Sequence, residues 1–275
     1  MARPHLSLII PVYNGASRLE ETLRAVDDFR AAAPCSLEVL FVDDCSTDPR
    51  TPAMLEAFAA ARDGVQVLRN ERNRGKGHSV ARGMLKARGA FRVFTDVDLA
   101  YPLSETRKIL RALEGGADVA IACRVLPESR YLMSPSFFHY LYTRHLMSRA
   151  FNLMVRVTLL PGVLDTQAGL KGFTAEAAHQ IFTRSTIAGF GFDIECLYIA
   201  HCHRMRVENV AVDFRYDDEP TTVRFVRDSL RMARDIATVR WNGWTGRYVS
   251  PIGPLAGEAD GPVADAATDS VAHAV

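Results

Sequence analysis

Residues 91–102 read FRVFTDVDLAYP, an apolar run that turns acidic at its end. The run is short and rich in Phe and Val, so residues 91–98 are predicted to form a buried strand rather than a long helix. Asp96 and Asp98 lie at the end of that strand, separated by one residue. Two carboxylates at a strand end suit a hard divalent cation such as Mg²⁺ or Mn²⁺. An ordinary polar loop is the alternative, because a D-x-D pattern alone is very common.

Similar apolar runs lie on both sides of this stretch and alternate with helical patterns. The other strands are expected at residues 6–13, 37–43, 65–70 and 117–124, and the helices between them at 17–32, 51–62, 77–88 and 104–114. This alternation predicts an α/β fold, with a mostly parallel sheet flanked by helices on both faces. Ligands of such sheets bind at the carboxyl ends of the strands, so the polar clusters that follow the runs are the candidate site.

The second half of the chain has a different pattern. Residues 136–160 are helical, apolar and basic. Further helices are expected near 174–183, 193–204 and 221–240, with a strand at 206–214. From about residue 251 the chain is rich in Pro, Gly, Ala and Asp, which predicts a disordered tail.

The composition is that of an ordinary globular protein. The 275 residues are 48% hydrophobic and 24% charged, with a formal net charge of +1, which excludes a bulk-basic nucleic-acid binder. No run approaches the roughly 18 apolar residues of a membrane-spanning helix, and the N-terminus is interpreted as a first strand rather than a signal peptide. The five scattered cysteines fit a reducing cytoplasm.

Two polar clusters follow the first two predicted strands. PVYN occupies residues 11–14, and VDDCSTD occupies residues 42–48 with the adjacent carboxylates Asp43 and Asp44. Carboxylates at a strand end can accept hydrogen bonds from a nucleobase N–H and from ribose hydroxyls. A capped turn is an equal alternative, because Asp, Ser and Thr all favour turns.

A third cluster, NRGKGHSVARG at residues 73–83, opens a predicted helix with a glycine-rich turn. It fails the dinucleotide fingerprint, because the third glycine position is Val80, and it is no P-loop, because Lys76 lies between the glycines. The turn still offers backbone N–H groups and the positive end of a helix dipole to a phosphate, and Lys76 adds a point charge. The cluster therefore predicts a phosphate contact.

PVYN, VDDCSTD, NRGKG and DVD, in this order and spacing, resemble glycosyltransferase family 2 of the GT-A fold. The motifs DVDLAYP, DTQAGLKGF and GFGFDIECLYIA resemble the polyprenol-phosphate sugar synthase branch, most of all dolichyl-phosphate glucosyltransferases, with the mannose synthases as relatives. Two positions depart from the pattern: Cys45 stands where Gly is usual, and Ala168 where Cys is frequent. The resemblance implies one GT-A catalytic domain over residues 1–250, made of a nucleotide-binding half (5–124) and an acceptor-binding half (125–250), before the loose tail (251–275).

The resemblance also implies roles for individual positions. Nucleotide-sugar contacts are implied for Pro11, Tyr13, Asn14, Asp43, Asp44, Lys76, Asp96 and Gln167. Ligation of Mg²⁺ or Mn²⁺ is implied for Asp96 and Asp98. Contacts with an acceptor phosphate are implied for Arg124, Arg130 and Arg224. The catalytic residues are expected to be Asp98, Asp165 and Arg124.

The implied reaction moves a hexose from a nucleotide sugar to a polyprenyl phosphate with inversion, UDP-glucose being favoured as donor and GDP-mannose next. A phosphate monoester is already ionised near neutral pH, so cationic groups that hold two anions together matter more than a general base. A hydroxyl acceptor on a glycan, glycolipid or small molecule is the alternative; it requires a base, for which Asp165 and Asp193 are candidates. A non-catalytic sugar-nucleotide-binding protein is the second alternative, disfavoured by the intact DVD and NRGKG motifs.

Residues 130–160 interleave aromatic and aliphatic side chains with arginines, and no acid lies between Arg130 and Asp165. A helix of this kind can lie in the bilayer interface beside anionic lipid, although composition alone favours a core helix with a basic outer face. The resemblance favours the membrane, because a lipid acceptor is reached from its surface, and it implies a peripheral protein at the cytoplasmic face. Residues 224–241 are a weaker amphipathic candidate because their charges are mixed. The oligomeric state stays open.

Overall fold

The computed structural model describes residues 3–132, 155, 159–160, 162–189, 191–215 and 225–250. Its strands are β1 (Leu6–Val12), β2 (Leu37–Asp43), β3 (Val65–Arg69), β4 (Phe91–Thr95), β5 (Val119–Cys123), β6 (Arg130–Leu132), β7 (Leu170–Thr174), β8 (Val207–Ala211) and β9 (Asp213–Arg215). Its helices are α1 (Ala16–Ala31), α2 (Arg50–Ala60), α3 (Lys76–Lys86), α4 (Thr106–Glu114), α5 (Ala175–Phe182), α6 (Phe192–Cys202) and α7 (Phe225–Trp244), with 3₁₀ turns at Leu103–Glu105 and Arg247–Val249.

A seven-stranded sheet in the order β3-β2-β1-β4-β7-β5-β8 forms the centre of the molecule. Its strands pair in parallel except β7, which runs antiparallel to both β4 and β5. β6 and β9 form a separate two-stranded parallel ribbon. The predicted mostly parallel sheet with flanking helices is therefore confirmed. Because β1, β2 and β4 are parallel neighbours, their carboxyl ends open on one edge of the sheet.

Helices cover both faces of the sheet, and the residues of β1 divide between the two apolar layers. Leu8 and Ile10 pack with buried side chains of α1, α2 and α4, whereas Ile9 packs with those of α3, α5 and α6. All residues of β1 are buried, which explains why its sequence is a continuous apolar run rather than an alternating one. Burying each such aliphatic side chain stabilises the fold by about 1.5–3 kcal/mol.

The strands and helices of the first half agree with the sequence patterns to within a few residues. The patterns do not predict β7, because LKGFT carries a lysine and a glycine within a polar motif. The strand expected at 206–214 is two strands, since Val212 separates β8 from β9, and β9 pairs with β6. The helix expected over 136–160 lies almost wholly outside the described residues, and the tail 251–275 entirely so. The division of the chain near residue 124 stays a prediction.

None of the helices in the described part of the chain is both long and apolar enough to cross a membrane.

Candidate active site

Carboxylates gather where β2 and β4 end, beside the end of β1. Asp43 is the last residue of β2, and Asp96 comes directly after β4. The Asp44 N–H donates to the Val12 carbonyl at 2.8 Å, which extends the ladder between β1 and β2 past Asp43. The parallel sheet therefore brings together the polar clusters that the sequence places at separate strand ends.

Asp44 holds the turn that precedes α3. Its Oδ1 accepts from the Arg74 N–H at 2.9 Å and from Asn70 Nδ2 at 2.7 Å, and its Oδ2 accepts from the Gly75 N–H at 2.8 Å. The residue is only 4% exposed. A carboxylate with three such donors is occupied by the protein itself, so Asp44 shapes the glycine-rich turn rather than presenting a free acceptor.

Asp43, its neighbour, keeps one oxygen unused. Its Oδ1 accepts from the Ser46 N–H at 3.0 Å, whereas its buried Oδ2 has no hydrogen-bond partner among the described residues. Arg69 Nε lies 3.3 Å from that oxygen without hydrogen-bond geometry. Buried polar atoms are nearly always paired, so an exception calls for an explanation. Oδ2 of Asp43 is the acceptor that a ligand N–H or hydroxyl would satisfy.

The PVYN cluster mainly shapes the edge of the site. Asn14 adopts a φ of 50°, and its Oδ1 accepts from the backbone N–H groups of Thr47 and Asp48 at 2.8 and 3.1 Å. Asn14 therefore ties the loop after β1 to the loop after β2. Pro11 is buried within β1, whereas the Tyr13 side chain is 48% exposed and can stack on a planar ligand.

Lys76, the first residue of α3, brings an ammonium group to the carboxylates. Its Nζ forms an ion pair with Asp96 Oδ1 at 2.6 Å. Burial alone lowers the pKa of Lys76, but the negative charges of Asp96 and Asp193 outweigh burial and raise it. Gly75, before the helix, has a φ of 95°, and a Cβ there would lie 2.5 Å from the Ala188 carbonyl oxygen. Only glycine fits this turn.

The carboxylates of Asp96 and Asp98 form the donor set for a cation. Burial and the charge of Asp96 raise the pKa of Asp98, whose Oδ1 accepts from the Ala100 N–H at 3.1 Å. A divalent cation would relieve this repulsion, and carboxylate oxygens are the ligands that Mg²⁺ and Mn²⁺ prefer. The described residues contain no group of three or more His, Cys, Asp or Glu side chains that could hold a metal. The pair therefore fits a cation shared with oxygens of a ligand.

Arg124 and Asp165 form a two-pronged ion pair on the other side of the site. Arg124 Nε and Nη2 donate to Asp165 Oδ2 and Oδ1 at 2.6 and 2.9 Å, and the Arg124 N–H donates to Oδ2 at 3.2 Å. Burial raises the pKa of Asp165, but the hydrogen bonds and charge of Arg124 outweigh it, and the net shift is downward. Asp165 is 1% exposed, ionised and fully engaged. This geometry makes it an orienting partner of Arg124 and a poor general base.

Comparison with known proteins gives the site its chemical context. The model of the family described as Glycosyl transferase family 2 matches residues 7–182. The chain belongs to glycosyltransferase family 2. The dolichyl-phosphate beta-glucosyltransferase of Mus musculus is 31% identical over 254 residues, covering 88% of this chain and 77% of the mouse protein. The enzyme of the same name from Drosophila melanogaster is 32% identical over 243 residues, covering 84% and 73%.

A solved structure shares the fold of this glycosyltransferase. Glucosyl-3-phosphoglycerate synthase from Mycobacterium tuberculosis, in complex with Mn²⁺ and UDP-glucose, superposes with a TM-score of 0.59 at 18% identity, covering 90% of this chain and 80% of that one. The likeness shows the fold alone. The family, the likeness to dolichyl-phosphate glucosyltransferases and the GT-A fold expected from the sequence are all confirmed, and the chain is a hexosyltransferase.

Asp193, the other candidate base of the glycosyltransferase, is paired inside the protein. Its Oδ1 lies 2.5 Å from Nζ of Lys171, which is 0% exposed and also donates to the Ala168 carbonyl at 2.6 Å. Burial raises the pKa of Asp193 despite the nearby charges of Lys171 and Lys76. The pair joins β7 to the start of α6 beneath the site. The ion pair of Lys171 is not predictable from the sequence, because only the fold brings Asp193 next to it.

Tyr101 is a site residue that the motif DVDLAYP contains but that sequence reasoning does not single out. Its ring packs 5.1 Å from Phe214, over which the Arg124 guanidinium also lies at 5.6 Å. The hydroxyl is buried without a hydrogen-bond partner in the described part of the chain. Burial raises the pKa of Tyr101, which lies within electrostatic reach of Arg124, Asp165 and Asp96. The hydroxyl therefore stays protonated and is available as a hydrogen-bond donor.

Glu195 clamps the loop that supports the start of α3. Its carboxylate, 0% exposed, accepts from the Thr186 N–H and hydroxyl, from the Ile187 N–H and from the Tyr248 hydroxyl, all at 2.7–3.0 Å. The next residue of the loop, Ala188, accepts from the Gly77 N–H at 2.8 Å. The clamp thus reaches the turn that carries Lys76. A second carboxylate besides Asp193 within the largely apolar GFGFDIECLYIA is the signal that sequence reasoning could have used.

The remaining predicted positions are less central in the structure. Gln167 is half-buried between Asp165 and the start of β7. Arg130 is exposed at the start of β6, and the next residue, Tyr131, donates its hydroxyl to the Arg124 carbonyl at 2.8 Å. Arg224 lies outside the described residues. The roles assigned to these side chains, and to the other candidate site residues, stay predictions.

Proposed function

We propose that this glycosyltransferase moves glucose from UDP-glucose to the phosphate of a polyprenyl phosphate at a membrane surface. The names of the mouse and fly relatives support the sugar and the acceptor class. The observation that carries the proposal is the Arg124–Asp165 pair, because it presents an oriented guanidinium at the carboxyl end of β5 and engages both oxygens of the candidate base Asp165. A phosphate acceptor needs such a cation and needs no base.

Donor recognition is assigned to the edge formed by the ends of β1 and β2. Asp43 Oδ2, which accepts no hydrogen bond from the described residues, would accept the N–H of a uracil ring, and Tyr13 can stack on that ring. The names of the mouse and fly relatives favour a glucose donor, for which UDP-glucose is the first candidate. GDP-mannose is the second candidate donor.

The diphosphate of the donor belongs over Lys76, Asp96 and Asp98. The two carboxylates would hold Mg²⁺ or Mn²⁺, which stabilises the negative charge of a departing diphosphate when bound. Lys76 is positioned to contribute a second positive charge from the start of α3, where the helix dipole also favours an anion. The chain itself thus provides one cationic group and the ligands for another.

The acceptor phosphate belongs on the guanidinium of Arg124. An ionised phosphate oxygen attacks the anomeric carbon, the new carbon–oxygen bond forms as the bond to the diphosphate breaks, and UDP departs with the electron pair. The attack from the opposite face inverts the anomeric centre. Asp165 keeps Arg124 in position and takes no proton, since both of its oxygens are engaged. Holding two anions in line is the main catalytic contribution of the protein.

The membrane location rests on the acceptor class and on the composition of residues 130–160, most of which lie outside the described part of the chain. A polyprenyl chain keeps its phosphate at the bilayer surface. A peripheral enzyme at the cytoplasmic face, where nucleotide sugars are made, is the arrangement we infer.

Transfer of labelled glucose from UDP-glucose into an organic-extractable lipid tests this function. With polyprenyl phosphate and Mn²⁺ present, we expect the wild-type enzyme to form a labelled lipid and Asp98→Asn to lower kcat by on the order of a hundredfold. Asp63→Asn, a change at an exposed aspartate just before β3 and so at the amino ends of the strands, opposite the site, is the matched control and should leave the rate unchanged. Undiminished transfer by Asp98→Asn, or transfer to soluble sugars alone, would contradict the proposal.

A further inference from the structure

Both tryptophans of the chain lie on the surface, at the end of α7. The side chains of Trp241 and Trp244 are 60% and 80% exposed, and their ring centroids are 5.5 Å apart. Val249, in the following 3₁₀ turn, is 56% exposed. A contiguous exposed patch of large apolar side chains is unusual in a soluble domain and marks a contact surface. We name the surface formed by Arg240, Trp241, Trp244, Arg247 and Val249 the tryptophan patch.

The tryptophan patch lies on a well-packed part of the structure. Val239 and Tyr248 are each 0% exposed beneath it, and Asn242 Nδ2 donates to the Tyr248 hydroxyl at 3.1 Å. Gly243 packs so closely on Tyr198 that an added Cβ would lie 2.4 Å from the ring. The end of α7 is therefore fixed to α6, and the indoles project from a fixed surface.

The exposed charged side chains of the described segment 233–250 are all basic. Arg234, Arg240 and Arg247 are exposed, and the acid of this segment, Asp235, is half-buried and packs against Gly191. Indole rings prefer the boundary between headgroups and acyl chains, and each arginine near an anionic bilayer contributes about 1 kcal/mol of attraction. Paired exposed indoles in a segment whose exposed charges are arginines have the chemistry of an interfacial anchor.

The contacts of α7 with α6 give the position of the tryptophan patch along the molecule. Asp235 packs against Gly191, which directly precedes α6, whereas Gly243 packs against Tyr198 and the Tyr248 carbonyl lies 2.7 Å from His203 Nε2. From Asp235 to Trp244 the helix advances about 14 Å at 1.5 Å per residue. The patch therefore lies on the flank of the molecule, along α6 from the end that carries Asp193.

We propose that the tryptophan patch docks the enzyme on the surface of an anionic membrane. The proposal rests on the proposed function and deepens it, because it names the surface through which a lipid-linked acceptor is approached. It is separate from the stretch 130–160, since it uses residues of α7 and the 3₁₀ turn after it. A second copy of the chain and the tail 251–275 are the competing occupants of the patch.

Tryptophan fluorescence tests this docking directly, because the chain has two tryptophans and both lie in the patch. Vesicles of phosphatidylcholine with phosphatidylglycerol should shift the emission to the blue, brominated lipid should quench it, and phosphatidylcholine alone should have a weaker effect. Co-sedimentation with the mixed vesicles should weaken about tenfold or more in Trp241→Ala/Trp244→Ala, and about fivefold in Arg240→Gln. Leu85→Ala, at an exposed leucine 42% accessible on α3, is the matched control and should bind like the wild type.

The outcomes separate this proposal from the proposed function. Unchanged emission with vesicles, or undiminished binding of the double tryptophan variant, overturns docking even if detergent-dispersed polyprenyl phosphate is still glycosylated. Vesicle binding without any transfer leaves docking in place and removes the function. Emission that is already blue-shifted without lipid and that moves to the red on truncation after Ser250 assigns the patch to the tail instead. A stable oligomer dissociated by the double substitution assigns it to a second copy.

Discussion

At the scale of single residues, the buried polar atoms of the site fall into two groups. Some form hydrogen bonds within the protein, and others do not. Asp44 and Asn14 are fully engaged in shaping loops, whereas Asp43 Oδ2 and the Tyr101 hydroxyl are buried and have no hydrogen-bond partner among the described residues. A buried polar group without a hydrogen bond costs about 1–3 kcal/mol, so keeping two of them at one site is explained if a ligand pairs them. We therefore propose that these two atoms contact the donor and the acceptor.

Tyr101→Phe tests the residue-scale interpretation. Removing an unpaired buried hydroxyl should leave the free energy of unfolding unchanged or raise it by up to about 1 kcal/mol, while kcat/KM for polyprenyl phosphate falls about tenfold. Denaturant unfolding and initial rates at varied acceptor concentration measure the two effects. Tyr248→Phe is the contrasting control, because its hydroxyl donates to Glu195 and its loss should lower stability. A destabilised Tyr101→Phe enzyme with unchanged kcat/KM would make the hydroxyl merely structural.

The sequence predicts which residues meet at the site better than it predicts what each one does. Asp43 and Asp44 are chemically identical neighbours, and their different roles follow from where β2 ends and which way the next turn runs. Arg124 and Asp165 were both expected at the site, but their mutual ion pair depends on a contact between residues 41 apart along the chain. That contact makes a candidate base the ion-pair partner of the arginine that we propose binds the acceptor phosphate.

At the scale of elements, the Glu195 clamp connects α6, the loop 186–188 and the start of α3. The loop is held by the carboxylate on one side and receives the Gly77 N–H on the other. A Cβ at Gly77 would lie 2.6 Å from the Ile187 carbonyl oxygen, so the loop and the start of α3 are in close contact. Glu195 is therefore expected to position Lys76 without touching the donor.

A double-mutant cycle between Glu195 and Lys76 measures this positioning role. Glu195→Gln places an amide group against backbone N–H donors, and it should weaken UDP-glucose binding about tenfold in the wild-type background but little in the Lys76→Ala background. Isothermal titration calorimetry with Mn²⁺ present gives the four affinities.

Glu38→Gln is the matched control for the clamp. Glu38 is also a buried carboxylate, but it accepts from Ser7 and from the Arg88 and Gly89 N–H groups at the opposite end of the sheet. The Glu38→Gln substitution should lower the melting temperature without changing the affinity for UDP-glucose. Equal losses of affinity in both backgrounds, or an equal loss in Glu38→Gln, would show that Glu195 acts only through stability.

Strands whose sequence is a continuous apolar run were predictable from the sequence. Features that depend on contacts between distant parts of the chain were not. β1, β2, β4 and β5 are buried on both faces, and their sequences show it directly. β7 crosses the sheet antiparallel with Lys171 buried in its interior, which no local pattern reveals because the neutralising Asp193 lies on α6. The clamp of Glu195 is hidden for the same reason.

At the scale of the whole molecule, the near-neutral net charge conceals a positive body. Over residues 1–254 Lys and Arg outnumber Asp and Glu, because residues 255–275 carry four acids and neither Lys nor Arg. Carboxylates concentrate at the ends of β2 and β4, where a cation and a nucleotide are expected, and exposed arginines share the segment 233–250 with the indoles of α7. This division suits an enzyme that joins two anionic substrates beside an anionic surface.

A comparison of two matched acceptors tests most directly whether a phosphate is the nucleophile. Polyprenyl phosphate and the free polyprenol of the same chain length, each dispersed in detergent with UDP-glucose and Mn²⁺, differ only in the attacking group. We expect an acid-labile glucosyl phosphate from the first, identified by mass spectrometry, and no glucosylated product from the second, because the two candidate bases, Asp165 and Asp193, are both held in ion pairs. Efficient glucosylation of the free alcohol, with little product from the phosphate, would contradict the proposed mechanism.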